Sequence, residues 1–183
     1  MPPPMLSDKA AGGRSARHRS AARLAAVQAL YQIEITGGSP DSILKDILER
    51  RIANLALTED VENEREVAVP LIEPDTMLLP ILVNVAVARA RDIDDMIDKT
   101  LSAEWNPERL ETVVRCILRV GIGELLERPD VPVRVVINEY VDVAHAFYSG
   151  SEPGLVNAVL DRLGRRLRAH EFNGAGSDHA VSR

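Results

Sequence analysis

The chain has 183 residues, 45% hydrophobic, 27% charged and only 3% aromatic, which is the size of one ordinary soluble domain with enough apolar surface to bury a core. Scarce aromatics beside abundant Ala, Leu and Val favour helices packed on helices over a β-sandwich, and the single cysteine, Cys116, excludes an internal disulfide. The formal net charge of −6 by itself argues against a nucleic-acid partner, but the sign is unevenly spread, and local clusters decide phosphate contacts at short range.

Residues 1–13 are rich in Pro, Gly and small side chains and predict a disordered tail. No apolar core of signal-peptide length is present there. The longest apolar run, Met77 to Ala88, is interrupted by Pro80 and Asn84 and falls short of the roughly 20 residues needed to span a bilayer. A cytoplasmic protein without membrane association is expected.

The stretch from Arg14 to Thr36, RSARHRSAARLAAVQALYQIEIT, begins basic and continues apolar. From Ala21 onward it has no Gly or Pro, and Leu24, Val27, Leu30, Tyr31, Ile33 and Ile35 cover most of a helical circumference, which predicts a central helix packed on more than one side. Arg19 and Arg23 are one turn apart on one face, whereas Arg14, Arg17 and His18 are expected to lie where the helix frays into a flexible arm. Gly37-Gly38 end this helix, and Ser39-Pro40 open a second one that runs to about Asn54.

Between Thr58 and Asp75 an acidic run, Glu59, Asp60, Glu62, Glu64 and Glu66, relieved by Arg65, precedes VAVPLIEPD and reads as an exposed connection. No segment carries the alternation and turn chemistry of a hairpin. A third helix is predicted from about Pro80 through Arg91, its pattern continuing to Leu101. Asn106-Pro107-Glu108 gives a strong start to a fourth. That helix carries Cys116 as a small core residue, and Gly121 and Gly123, each costing about 1 kcal/mol inside a helix, imply close approach of a neighbour. Asp130 is read as the cap of the next helix, whose stripe runs from Val133 to Phe147. Ser151 and Pro153 open the last, with Gly154 and Ala158 leaving room for a neighbouring backbone. Its end is made basic by Arg162, Arg165, Arg166 and Arg168, and Ala169 to Arg183 should be disordered. The expectation is an all-α single domain, a bundle of about seven helices over residues 14–168.

Chemistry-bearing motifs are scarce: there is no Gly-rich phosphate loop, no metal-spaced Cys/His set and no nucleophile motif. The set Asn138, Glu139 and Asp142 is read as surface polars with a buried Asn tying helices together. No catalytic residue, metal or cofactor is expected, and a binding protein is favoured over an enzyme.

Three segments carry a family resemblance: ARLAAVQALYQ at 22–32, ILRVGIGELLERPDVPVRVVINEYVDVAHAF at 117–147 and LVNAVLDRLGRRLR at 155–168. Together they resemble NusB, the bacterial transcription antitermination family. The resemblance implies a helical fold in two packed halves and binding of the boxA element of leader transcripts. It also implies pairing with the ribosomal protein NusE, and read-through by RNA polymerase in rRNA operons. By the same resemblance Arg14, Arg17, His18, Arg19, Arg23 and Tyr31 are candidate RNA contacts, with Arg119 as a further one. The chain departs from the family pattern at Gly123, Leu155 and Ala158, where an aromatic, Phe and Gly are common, and in a longer 58–75 segment. Independently of the family, arginines attract a phosphate backbone and an accessible aromatic stacks on an unpaired base. Two other readings remain open: a NusB-like accessory domain related to RNA cytosine methyltransferases, without catalysis of its own, and a purely structural adaptor. A homodimer is a further possibility.

Overall fold

The computed structural model describes residues 8–53, 55–60, 65–70, 72–101 and 110–173. Helices α1 (Asp8–Thr36) and α2 (Pro40–Ala53) precede strands β1 (Leu55–Asp60) and β2 (Arg65–Pro70). Helices α3 (Leu78–Ala88), α4 (Ala90–Thr100), α5 (Thr112–Glu127), α6 (Val133–Phe147), α7 (Glu152–Leu167) and the short α8 (His170–Asn173) follow. The protein is helical, as its composition predicts, and divides into two compact units between Ile81 and Leu82.

In the first unit α1 packs on α2, and the buried side chains Ala22, Ala25, Ala26, Val27, Ala29 and Leu30 meet a core to which α2 adds Ile43 and Leu44. Small residues at these positions let helices approach closely. Gly37 ends α1 with φ 66, in the left-handed region that glycine adopts without a Cβ clash. The Ser39 hydroxyl then accepts the Ser42 N–H at 3.2 Å, the capping role its sequence position predicts.

β1 and β2 form an antiparallel pair running from Leu55↔Pro70 to Asp60↔Arg65. This corrects the expectation of a connection without a hairpin. Segment 61–64 contains none of the Asn-Gly or Asp-Gly pairs that announce a tight hairpin, and β1 holds a single β-branched residue, Thr58, so the sequence signal was weak. Proline at the terminal pair of β2 interrupts no inner ladder position.

In the second unit α5 is the central element, packed by α4, α6 and α7. Val114, Cys116, Ile117, Leu118, Val120, Ile122 and Leu125 are all buried. A Cβ on Gly121 would stand 3.2 Å from Leu160 and Tyr140, and one on Gly123 would stand 3.2 Å from Val85, so both glycines mark the close approaches their cost implied. Gly154 does not: nothing lies within 4 Å of its Cβ position.

The predicted third helix is two helices, broken at Arg89 (φ −108°, ψ 17°), and α3 starts at Leu78, before Pro80. The Asn106 start lies outside the described residues, and α5 begins at Thr112. Asp130 does not cap α6; it holds Arg128 through two contacts of 2.9 and 2.7 Å, which keep its carboxyl down at about 2. The α6 end is instead closed by Glu171, whose Oε2 accepts the Val133 N–H at 2.8 Å. Glu171 lies in α8, inside the segment read as a tail from Ala169. Arg168 is not part of a basic end. It is 5% exposed and donates to the carbonyls of Leu125 (2.6 Å), Arg128 (2.6 Å) and Val131 (2.7 Å). Asn138 is exposed rather than buried.

Candidate nucleic-acid interface

α1 is helical from Asp8, so Arg14, Arg17 and His18 stand on regular turns rather than on a frayed arm ahead of it. Around this helix Arg14, Arg17, Ala21, Leu24, Gln28, Tyr31 and Ile35 recur at alternating steps of three and four, which places them on one stripe. Ala21 and Leu24 are half-buried and the other five are exposed, Tyr31 at 40% and Ile35 at 61%. Arg17 and Tyr31 are about four turns apart, roughly 21 Å along the axis. One surface therefore offers two guanidinium groups and, further along, a phenol ring.

Arg19 and Arg23 share a face, as their spacing requires, but it is a different one. Arg19 is half-buried and its Nη1 donates to Ser15 Oγ at 2.5 Å; Arg23 is 2% exposed. His18 sits beside the arginine stripe, with Nδ1 2.6 Å from the Glu73 carbonyl oxygen, and its own carbonyl accepts the Asp75 N–H at 2.9 Å. Neither partner was legible in the sequence, because both lie more than fifty residues away.

Arg119 belongs to the second unit and is 8% exposed. Its Nε and Nη2 donate to the two Asp94 oxygens at 2.8 and 2.7 Å, a bidentate pair, and Arg115 approaches the same carboxylate at 3.4 Å. Burial opposes the Asp94 charge, but the Arg119 hydrogen bonds and charge, followed by those of Arg115, outweigh it and hold the carboxyl below its ordinary range. An arginine engaged in this way ties α4 to α5. The same unit contains an open cavity of about 270 Å³ lined by Thr100, Leu101, Leu155, Ala158 and Arg162. Arg162 Nη1 donates to the Thr100 carbonyl at 2.9 Å at its edge.

Of the seven candidates, then, the structure brings Arg14, Arg17 and Tyr31 onto one exposed stripe, with His18 at its margin. It sets Arg19, Arg23 and Arg119 apart. Among the described residues no group of His, Cys, Asp and Glu could hold a metal ion, and no helix is long and apolar enough to cross a membrane.

Exposed guanidinium groups and an aromatic ring along one helix are side chains of the kinds that address a phosphate backbone and an unpaired base. The family follows from comparison with known proteins: the NusB family profile matches residues 20–165, and the chain belongs to that family. Transcription antitermination protein NusB of Rhodospirillum rubrum is 45% identical over 177 residues, covering 93% of this chain and 95% of the relative. That of Maricaulis maris is also 45% identical, covering 86% of this chain and 92% of its own. Among solved structures, T. maritima NusB matches with a TM-score of 0.65 at 25% identity over 85% of this chain and 96% of the other. A complex of antitermination factors NusB and NusE with double-stranded RNA matches with a TM-score of 0.59 at 25% identity, over 82% of this chain and 98% of that one.

Proposed function

We propose that the protein is a transcription antitermination factor that binds the boxA element of ribosomal RNA leader transcripts together with NusE, and so helps RNA polymerase read through terminators in rRNA operons. It acts in the cytoplasm by binding, without catalysis. The observation that carries this reading is the stripe on α1, where Arg14 and Arg17 stand exposed on the same face as Tyr31. Family membership supports the transcriptional role, and the related complex of NusB and NusE with RNA supports the choice of partners.

In this reading Arg14 and Arg17 hold phosphates, which supplies the salt-dependent part of the affinity, and Tyr31 stacks on an unpaired base of the leader. NusE docks elsewhere and presents a second weak site to the same RNA, so the pair binds more tightly than either protein alone. The test is an RNA titration of the full chain against a single-stranded boxA leader fragment and against a duplex of the same sequence, with and without NusE. Tighter binding of the single strand, enhanced by NusE, is expected. Equal affinity with and without NusE overturns the paired mechanism, and a preference for the duplex overturns base stacking by Tyr31.

A further inference from the structure

The N-terminal turns of α1 reach beyond their own core. Gly12 through Arg17 are exposed, the first buried residue from Gly12 onward is Ala22, and nothing lies within 4 Å of the Cβ positions of Gly12 and Gly13. Each of those glycines costs a helix about 1 kcal/mol relative to Ala, so this end has little intrinsic reason to hold its shape. His18 is where a distant part of the chain meets it. A carbonyl oxygen only accepts, so the contact of 2.6 Å with Glu73 requires the proton on Nδ1. One residue pair further, the Asp75 N–H donates to the His18 carbonyl at 2.9 Å. Asp75 is itself fixed, because its Oδ1 accepts the N–H groups of Met77 and Leu78 at 3.0 Å each and so caps α3, whose Leu78 and Leu79 are buried.

We infer that His18 is a positioning residue, a latch that fastens the arginine-bearing turns of α1 to the capped start of α3 so that Arg14 and Arg17 are presented in line with Tyr31. The inference rests on the reading of that stripe as the RNA-binding face. It assigns His18 a different role from the phosphate contact suggested by its basic surroundings. With Nδ1–H committed to Glu73, that nitrogen is not free for a phosphate oxygen. A free helix end would sample orientations in which the arginines and the ring do not address one ligand. The measured affinity would then fall by the fraction of molecules that remain latched.

Three variants of the full chain test this: His18→Ala, His18→Arg and His18→Asn. His18→Ala keeps the carbonyl that the Asp75 N–H donates to and removes only the imidazole bond to Glu73, so amide hydrogen exchange without RNA should show the Asp75 amide losing about two- to tenfold of its protection as the weakened latch opens more readily. His18→Asn, whose side-chain amide still donates, should recover part of it. In RNA titrations His18→Ala and His18→Arg should both bind more weakly by a similar factor, with the salt slope of wild type, because the arginines that contact phosphate are still present. A phosphate contact predicts the reverse for His18→Arg, which supplies a permanent cation. Unchanged Asp75 exchange in His18→Ala, or RNA binding by His18→Arg as tight as wild type or tighter, overturns the inference. Failure of the unaltered protein to bind RNA overturns the proposed function and the purpose of the latch, while the exchange data still decide whether the latch exists.

Discussion

Arginine is the residue type whose role in this chain depends most on where it stands. Arg14 and Arg17 are exposed, Arg23 is buried, Arg119 grips Asp94, and Arg168 is enclosed by carbonyls. Sequence placed Arg14, Arg17, Arg23 and Arg168 in basic clusters and could not separate the exposed from the buried among them, because burial is decided by the neighbouring helix and not by the arginine's own. The distinction is measurable. Arg14→Glu and Arg17→Glu should each lower the magnitude of the log-affinity versus log-salt slope for a single strand by about 0.7. Tyr31→Ala should weaken RNA binding by about 1–3 kcal/mol with little change of slope. An unchanged slope in the arginine double variant would remove the phosphate contacts. For Asp94 the consequence is a pH dependence of stability. Its folded carboxyl lies below the unfolded value of 3.8, so the stabilisation is fully present above that value and is lost as pH falls through the lower folded one. Urea melts of wild type and Asp94→Asn should therefore differ near neutral pH and converge in acid, and curves that stay parallel through acid would exclude this assignment.

At the scale of elements, the apolar periodicity of α5, α6 and α7 was sufficient to read them from the sequence, since their stripes repeat at three and four residues over four turns. The hairpin was not legible, having neither turn signature nor strong β-branched content. The cap of α6 was misread because its acceptor, Glu171, arrives from a helix 38 residues on, whereas Asp130 is the local residue that looks the part. The glycines give a paired prediction. Gly121→Ala should lower the melting temperature despite the gain in helix propensity, because the new methyl must displace Tyr140 or Leu160 from 3.2 Å, an overpacking that costs about 1–3 kcal/mol. Gly154→Ala meets open space and should stabilise by up to about 1 kcal/mol. Thermal melts of the two variants side by side check both signs; destabilisation by Gly154→Ala would mean that its surroundings are closer than the structure places them.

Across the whole molecule, the short α8 has more influence than its four residues suggest. Glu171 closes the start of α6 and pairs with Arg168 at 3.2 Å, while Phe172 lies under the Arg165 guanidinium at 4.6 Å. A chain ended at Ala169 should therefore be less stable than one ended at Asn173 by about 1–3 kcal/mol, the cost of leaving a helix-terminal donor and a buried guanidinium short of a partner. Equal denaturation midpoints for the two truncations would show that α8 merely rests on the surface. The Arg168 clasp also sets how the chain can vary. Its partners at Leu125, Arg128 and Val131 are all main-chain oxygens, so it senses the path of the α5–α6 turn and is blind to the side chains along it. Relatives could exchange those side chains freely while keeping the turn's length, since one inserted residue would carry a carbonyl out of reach. A lysine, with its donors gathered at a single point, could not span the three oxygens at all. The turn is free to drift in letters but not in count.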